Sequence, residues 1–154
     1  NSYRGGAGRA AGREASGWGK PASVQRTWMA TARKLSHTSG TPGQKTTLAR
    51  IKSSGLRIRA GSENIGVIAR YQIDGRYFRI ADRTGCSFSG SGGQAIPPHS
   101  YTTLARTIVG LWMESPAHRR NILDRKVNRL GSGVGFDAHA PYCGNFYVSQ
   151  DFAG

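Results

Sequence analysis

The sequence has few acidic side chains and many basic ones. Its 154 residues contain 22 lysines and arginines but only 8 aspartates and glutamates, and the formal net charge is +14 at pH 7. Residues 1–60 carry twelve of the basic residues against a single acid, Glu14. Such a charge attracts nucleic acid, anionic lipid headgroups and acidic cell-surface polysaccharide, unless it is only a solvated surface. No nucleic-acid-binding motif is present, so a specific nucleic-acid partner is not indicated.

Long apolar runs are also missing. No stretch approaches the roughly eighteen apolar residues that a membrane-spanning helix needs, so no transmembrane segment is predicted. A chain of this length corresponds to about one domain with one core. Residues 1–20 hold six glycines and four basic residues but little apolar surface, which predicts a flexible, basic, glycine-rich arm. The folded domain is expected over residues 21–154.

Cysteine is rare as well. Cys86 and Cys143 are the only two, and neither belongs to the CxxC spacing that is typical of zinc or redox sites. A disulfide between them would stabilise the fold by about 4 kcal/mol in the chain-entropy model and would indicate an oxidising compartment. The alternative is two separate buried thiols. We favour the disulfide.

Common catalytic motifs are absent. The sequence has no GxSxG turn before a helix, and neither cysteine is next to a histidine, so nucleophilic acyl transfer is not indicated. It also lacks an HExxH pair or any other closely spaced set of zinc ligands. Local motifs therefore give little support to a metal site.

Helical spacing of apolar residues predicts four helices. The first begins near Pro21 and carries His37 at its C-terminal end. A short second helix is capped by Thr46 or Thr47. The clearest helix ends before Pro116, and a fourth begins at that residue because proline suits a first helical turn.

Strand signals concentrate in the C-terminal half. Asp74-Gly75 separates two short apolar segments and predicts a hairpin, because both residues tolerate the positive φ of a tight turn. Residues 130–136 and 145–152 have the composition of two further strands. Helices first and strands last favour an α+β fold, in which helices pack on a mainly antiparallel sheet.

Two histidines and a glutamate are the strongest candidates for a functional site. His118 is expected in the first turn of a helix, where the dipole disfavours the imidazolium and keeps a base or metal ligand neutral. His37 is expected at a helix C-terminus, which favours the cation. Glu63 is one of only three glutamates and can orient a histidine or hold a cation. On spacing alone, all three can equally be structural residues.

The same residues suggest two kinds of ligand. Two histidines with one carboxylate suit zinc or another divalent cation, with His37 and His118 as ligands and Glu63 orienting them. Arg119 and Arg120, next to His118, can contact an anion, although solvated surface arginine is the simpler interpretation.

Three segments together resemble a known family. The run Trp112 to Leu123 and the segments Leu35 to His37 and Ser62 to Gly66 are similar to the CAP superfamily in its short bacterial form. This superfamily contains the cysteine-rich secretory, antigen 5 and pathogenesis-related proteins. The resemblance spans residues 22–152 and makes residues 21–154 a CAP-like domain. It implies an α-β-α sandwich, secretion, and a shallow cleft with a His-Glu-Glu-His tetrad.

The resemblance also implies roles for individual residues. His37, Glu63 and His118 match three members of the tetrad, whereas Ser115 occupies the place of the second glutamate. Glu114 falls one residue earlier, which on a helix is a rotation of about 100°. We therefore expect Glu114 to point away from the cleft and a three-residue site to remain.

The family implies binding more than catalysis, since its members are associated with sterols or other lipids, with divalent cations and with contested proteolysis. We therefore expect a secreted or periplasmic binding module for a lipid or other small ligand, with or without zinc or another divalent cation in the His/Glu cleft. Two alternatives stay open. One is a metal-dependent hydrolase that uses Glu63 as the base. The other is a basic adhesin that holds acidic cell-surface polymers through its N-terminal part.

Overall fold

The computed structural model describes residues 2–9, 12–14 and 19–154. These residues form five helices: α1 (Ser2–Gly6), α2 (Gly19–Ala32), α3 (Thr47–Ser53), α4 (Tyr101–Glu114) and α5 (Pro116–Leu123). They also form six strands: β1 (Arg13–Glu14), β2 (Gly61–Ala69), β3 (Arg79–Asp82), β4 (Ser87–Ser89), β5 (Arg129–Asp137) and β6 (Asn145–Ala153). In these ranges, no helix combines the length and the apolar character needed to cross a bilayer.

The main sheet has four strands in the order β1-β5-β6-β2. β6 runs antiparallel to β5 and to β2, whereas the very short β1 pairs with β5 in parallel. α2 and α3 pack on one face of this sheet, and α4 packs on the other. The predicted α+β class, with helices on a mainly antiparallel sheet, is confirmed, and β5 and β6 contain the two predicted C-terminal strands.

Glycines in β5 let α2 come close to the sheet. A Cβ atom at Gly133 would lie 2.8 Å from the carbonyl oxygen of Ala22, and one at Gly135 would lie 2.6 Å from that of Arg26. Any larger residue at these two positions would therefore push the helix away. On the neighbouring strand, the Ser149 hydroxyl donates to the Ala22 carbonyl oxygen at 2.8 Å and fixes the helix in this position.

The opposite face carries the main hydrophobic core. Leu104, Ile108 and Trp112 of α4 are buried together with Val148 and Phe152 of β6. Full burial of each side chain of this size stabilises the fold by about 1.5–3 kcal/mol. These apolar side chains therefore form the face that attaches α4 to the sheet.

The starts of α3, α4 and α5 agree with their local capping and proline signals. The Ser100 side chain accepts a hydrogen bond from the Thr103 backbone N–H at 3.1 Å and caps α4. Thr46 caps α3 through its side chain. Ser115 is extended, with ψ of 119°, so α4 stops there and α5 begins at Pro116.

A second, smaller core lies beyond the far end of β2. It is built from Ile73, Phe88 and Ile96, and the disulfide between Cys86 and Cys143 lies against it. The predicted disulfide is confirmed. It ties the segment between β2 and α4 to the connection between β5 and β6, two parts of the chain that share no strand pairing among the described residues.

The hairpin predicted at Asp74-Gly75 is wrong. Gly75 does have a positive φ of 70°, but the Asp74 carboxylate accepts a hydrogen bond from the Ala69 backbone N–H at 2.8 Å. That bond closes the end of β2 instead of joining two strands. The hairpin of this region is formed by β3 and β4, which pair on either side of residues 83–86.

Part of the segment predicted as a flexible arm packs on the domain. Arg4 is buried, and its guanidinium donates to the carbonyl oxygens of Ile122 at 2.8 Å, Asp124 at 3.0 Å and Val127 at 2.6 Å. These carbonyls lie at and just after the end of α5, where helix carbonyls lack partners. Arg9 Nε also donates to the Leu123 carbonyl oxygen at 3.1 Å, so two arginines attach a segment whose apolar content is low. Residues 1, 10–11 and 15–18 of the predicted arm lie outside the described residues.

Candidate functional site

Glu63 is the centre of a buried polar network. It lies in β2, and its Oε1 atom accepts hydrogen bonds from His37 Nδ1 at 2.8 Å and from the Thr47 hydroxyl at 3.1 Å. Its Oε2 atom accepts from Arg50 Nη2 at 2.7 Å. Burial acts to raise the pKa of Glu63, but the His37 hydrogen bond and the Arg50 guanidinium together hold it below its ordinary value. Glu63 is therefore an ionised carboxylate with both oxygens engaged.

Arg50 is the counter-ion of this carboxylate and is fully buried in α3. Its guanidinium also donates to the carbonyl oxygens of Gln44 at 3.3 Å, Lys45 at 3.2 Å and His37 at 3.0 Å. The arginine therefore holds the loop that carries His37 against Glu63. The sequence does not reveal this role, because Arg50 is one of twelve basic residues within residues 1–60.

His37 lies in the loop before α3, and its predicted place at a helix C-terminus is wrong. α2 ends at Ala32, because Arg33 has a left-handed φ of 52°. A carboxylate, and not a helix dipole, is the negative partner of His37. Since the oxygens of Glu63 can only accept, Nδ1 of His37 carries a proton. The His37 side chain is 55% exposed, so its other ring nitrogen is accessible.

His118 lies in the first turn of α5, in agreement with its predicted position. Its Nδ1 atom is 2.9 Å from the Ser115 hydroxyl, and its backbone carbonyl accepts from the Asn64 side chain at 3.1 Å. Burial and, to a smaller extent, the positive charge of His37 lower the pKa of His118. The two imidazoles therefore share one electrostatic environment, in which His118 favours the neutral form.

Two side chains from α4 and α5 cover the open edge of β2. Trp112 Nε1 donates to the Ile65 carbonyl oxygen at 3.0 Å, and the Asn121 amide donates to the Glu63 carbonyl oxygen at 3.3 Å. β2 is the last strand of its sheet, so these carbonyls would otherwise lack strand partners. The bonds also fix α5, and with it His118, beside β2.

Asp151 is a second buried carboxyl group that sequence reasoning missed. It pairs directly with Glu63 in the β2–β6 register and is fully buried. No N–H or O–H donor of the described residues reaches its two oxygens. Burial, the charge of Glu63 and a hydrogen bond to Glu63 raise the pKa of Asp151 to about 8. At neutral pH it is therefore an uncharged acid whose O–H donates a hydrogen bond to the ionised Glu63 carboxylate.

Three other candidates lie outside this network. Glu114, Arg119 and Arg120 are exposed, and with Met113 and Leu123 they line a separate surface hollow of about 420 Å³. None of them is hydrogen bonded to the described members of the network. The structure thus joins His37 to Glu63 by a hydrogen bond, places His118 where the charge of His37 lowers its pKa, and leaves the predicted anion contacts on another surface.

The network does not fit a bound divalent cation. A protein zinc site uses three or four ligands, and both oxygens of Glu63 are already occupied by neighbouring donors. In the described ranges, no three or more His, Cys, Asp or Glu side chains are grouped to hold a metal ion. Ser115 offers a hydroxyl where a full tetrad has a carboxylate. The geometry therefore gives no support to His37 and His118 as metal ligands.

An apolar hollow of about 290 Å³ lies between α4 and the strands β5 and β6. Its apolar walls include Leu104, Ile108, Val109, Val134 and Val148. Trp112 connects the hollow to β2, the strand that carries Glu63, because its ring lines the hollow while its Nε1 atom donates to the Ile65 carbonyl oxygen. Gln150 also lines the hollow, and its Oε1 atom is buried with no hydrogen-bond partner among the described residues.

Two solved structures are similar in fold. One is an extracellular protein containing an SCP domain from Bacillus anthracis str. Ames, with a TM-score of 0.53 and 17% identity, covering 99% of this chain and 37% of that chain. The other is an outer surface protein from Borrelia burgdorferi, with a TM-score of 0.62 and 14% identity, covering 99% of this chain and 84% of that chain. The chain thus spans little more than a third of the first protein. These identities show the fold alone.

Sequence comparison identifies the family. No curated protein sequence matches the chain. The family model described as CAP, the cysteine-rich secretory protein family, matches residues 1–152, which is nearly the whole chain. The protein belongs to the CAP family.

Proposed function

We propose that the protein is a secreted or periplasmic binding module that holds a small apolar ligand and does not catalyse a reaction. The apolar hollow beside α4 carries this proposal. Its volume of about 290 Å³ is close to the lower limit of small-molecule sites, roughly 300 Å³. Each Å² of apolar ligand surface removed from water there contributes about 25 cal/mol to binding.

The polar lining indicates which apolar ligand fits. The unpartnered Oε1 atom of Gln150 is a buried acceptor, and leaving such an atom without a donor costs about 1–3 kcal/mol. A ligand with one hydroxyl group at the end of a hydrocarbon chain would supply the donor and fill the apolar part. We therefore infer a lipid-like alcohol in preference to a plain hydrocarbon.

The polar network argues against the hydrolase alternative. A general base must accept a proton from water near neutral pH, whereas Arg50 and His37 occupy the oxygens of Glu63 and lower its pKa. Asp151 is fully buried and therefore has no contact with a substrate. The network is better suited to holding the His37 loop and α5 in place than to turnover.

The disulfide supports an extracellular place of action. Structural disulfides persist in oxidising compartments and are rare in the cytosol of ordinary cells, and Cys86 and Cys143 form one here. Of the two similar structures, one is described as extracellular and the other as an outer surface protein.

Ligand binding can be tested by filling the hollow. Ala105 lines it and is exposed, so Ala105→Phe should block the space without disturbing the core. Thr102→Phe, at an exposed position of the same helix that does not line the hollow, is the matched control. The fluorescent probe 1-aminoanthracene is bound first and then displaced with dodecanol.

The expected result is displacement by dodecanol from the wild type and from Thr102→Phe. Ala105→Phe should weaken dodecanol binding by about tenfold or more, equivalent to about 1.4 kcal/mol. Equal binding by all three proteins, or none by the wild type, would show that the hollow is not a ligand site.

A further inference from the structure

Five exposed basic side chains gather at one end of the main sheet. They are Lys52, Arg57, Arg59, Arg125 and Lys126, and we call them the basic end. The first three follow or end α3, whereas the last two follow α5. The sequence alone does not show that these two groups are neighbours, because more than sixty residues separate them.

Strand pairing brings the two groups together. The first residues of β2 and of β5 both pair with Ala153, on opposite sides of β6. Neighbouring strands are about 4.8 Å apart, so these two strand starts are separated by about 10 Å. Gly154 lies next to both groups. Its carbonyl oxygen accepts a hydrogen bond from the Arg59 backbone N–H at 2.6 Å. A Cβ atom at Gly154 would lie only 1.6 Å from the Lys126 carbonyl oxygen.

Acidic side chains do not neutralise the basic end. Across the described ranges, none of its five members forms an ion pair. Asp124 is the only acid in the segments 52–60 and 124–129, and its carboxylate accepts from the Lys126 backbone N–H at 2.8 Å. Like charges held this close repel one another, and a polyanion would remove that repulsion while releasing its own counter-ions.

We propose that the basic end binds an extended acidic polymer of the cell surface through its phosphate or carboxylate groups. The segments 52–60 and 124–129 contain no aromatic residue on which a nucleic-acid base could stack. They also contain no exposed large apolar side chain that could enter a lipid bilayer. Charge is thus the main recognition feature here, which suits a simple repeating polyanion.

This surface differs from the basic N-terminal adhesin considered from the sequence. Two of its five members come from the C-terminal half, and Arg4 and Arg50 of the N-terminal part are buried in the fold. The basic end is also separate from the apolar hollow, because none of its residues lines that space. Failure of one proposal would therefore leave the other unaffected.

The test uses labelled long-chain polyphosphate and labelled polygalacturonate, so that phosphate and carboxylate polymers are measured separately. Binding to the whole protein is followed by fluorescence anisotropy at several salt concentrations. The test variant is Arg57→Gln/Arg59→Gln/Lys126→Gln. The control is Arg79→Gln/Arg83→Gln/Arg106→Gln, which removes the same charge from exposed positions outside the basic end.

Log affinity falls as log salt concentration rises, and each lost contact should reduce the steepness of this fall by about 0.7–0.9. The test variant should therefore show a slope smaller by about 2 for at least one of the two polymers, while the control keeps nearly the wild-type slope. Equal losses in both variants would show that net charge alone acts. Tighter binding to phosphatidylglycerol vesicles than to either polymer would also overturn the proposal.

Discussion

Glu63 and Asp151 face each other across the β2–β6 pairing and share one buried site. Two carboxylates so close together cannot both be ionised, and Arg50 supplies one positive charge to the pair. The proton therefore stays on Asp151, whose pKa is raised to about 8 by burial and by Glu63. The network that holds His37 thus has a charge balance that depends on pH.

Replacing Asp151 with asparagine should make the protein less sensitive to alkaline pH. The unfolded chain releases this proton near pH 3.8, whereas the folded protein keeps it up to about pH 8. The folded state therefore binds more protons across this window, and stability falls as pH rises through it. Asparagine retains an N–H donor for Glu63 and cannot ionise.

The measurement is urea unfolding at pH 5 and at pH 9. The decrease in the free energy of unfolding from pH 5 to pH 9 should be smaller for Asp151→Asn than for the wild type. Glu114→Gln removes an exposed carboxylate and serves as the control, with a loss like that of the wild type. Equal losses in all three proteins would mean that Asp151 does not hold a proton in the folded state.

Removing Arg50 should be far more costly than removing an exposed arginine. Arg50→Met leaves the buried Glu63 carboxylate without its cation, and breaking a buried ion pair in this way costs about 3–5 kcal/mol. Arg57→Met, at an exposed position, should change unfolding free energy by no more than about 0.5 kcal/mol. The double variant Arg50→Met/Glu63→Gln should regain part of the loss. A loss below about 1 kcal/mol for Arg50→Met would contradict the role assigned to this pair.

Local signals predicted the parts of the fold that local chemistry decides. Thr46 and Pro116 mark the start of α3 and the start of α5 because capping and proline sterics act within a few residues. The hairpin at Asp74-Gly75 was wrong because a side chain bond to Ala69, outside the turn, decides that segment.

The network around Glu63 depends on contacts between distant parts of the chain, which local patterns do not contain. Asp151 becomes its neighbour only through the β2–β6 register, and Arg50 only through the packing of α3 on β2. The family resemblance located both histidines, but it carried no information about either of these partners. The β2–β6 register and the packing of α3 therefore determine the charges around Glu63. Motif spacing identifies the two histidines of the site.

The pKa of His118 should respond to His37 but not to a distant histidine. Burial is the larger cause of its lowered value and the positive charge of His37 the smaller. In His37→Gln the pKa of His118 should therefore rise and still remain below the ordinary value for histidine. His139→Gln, at a side chain that is 78% exposed, should leave it unchanged. NMR titration of the ring protons measures this, and an identical His118 curve in His37→Gln would show that the imidazoles do not interact.

Zinc affinity should depend on the residue at position 115 more than on Glu63. In the wild type the Glu63 oxygens are engaged, so the two imidazoles lack an anionic ligand and zinc binding should be weak. The Ser115 hydroxyl lies 2.9 Å from His118 Nδ1, so Ser115→Glu places a carboxylate next to that ring. Calorimetry should show zinc affinity at least about tenfold higher for this variant, or about 1.4 kcal/mol, and the gain should vanish when His118→Ala is added. Tight zinc binding by the wild type would instead require Glu63 to leave Arg50, and the description of a fully engaged carboxylate would then be wrong.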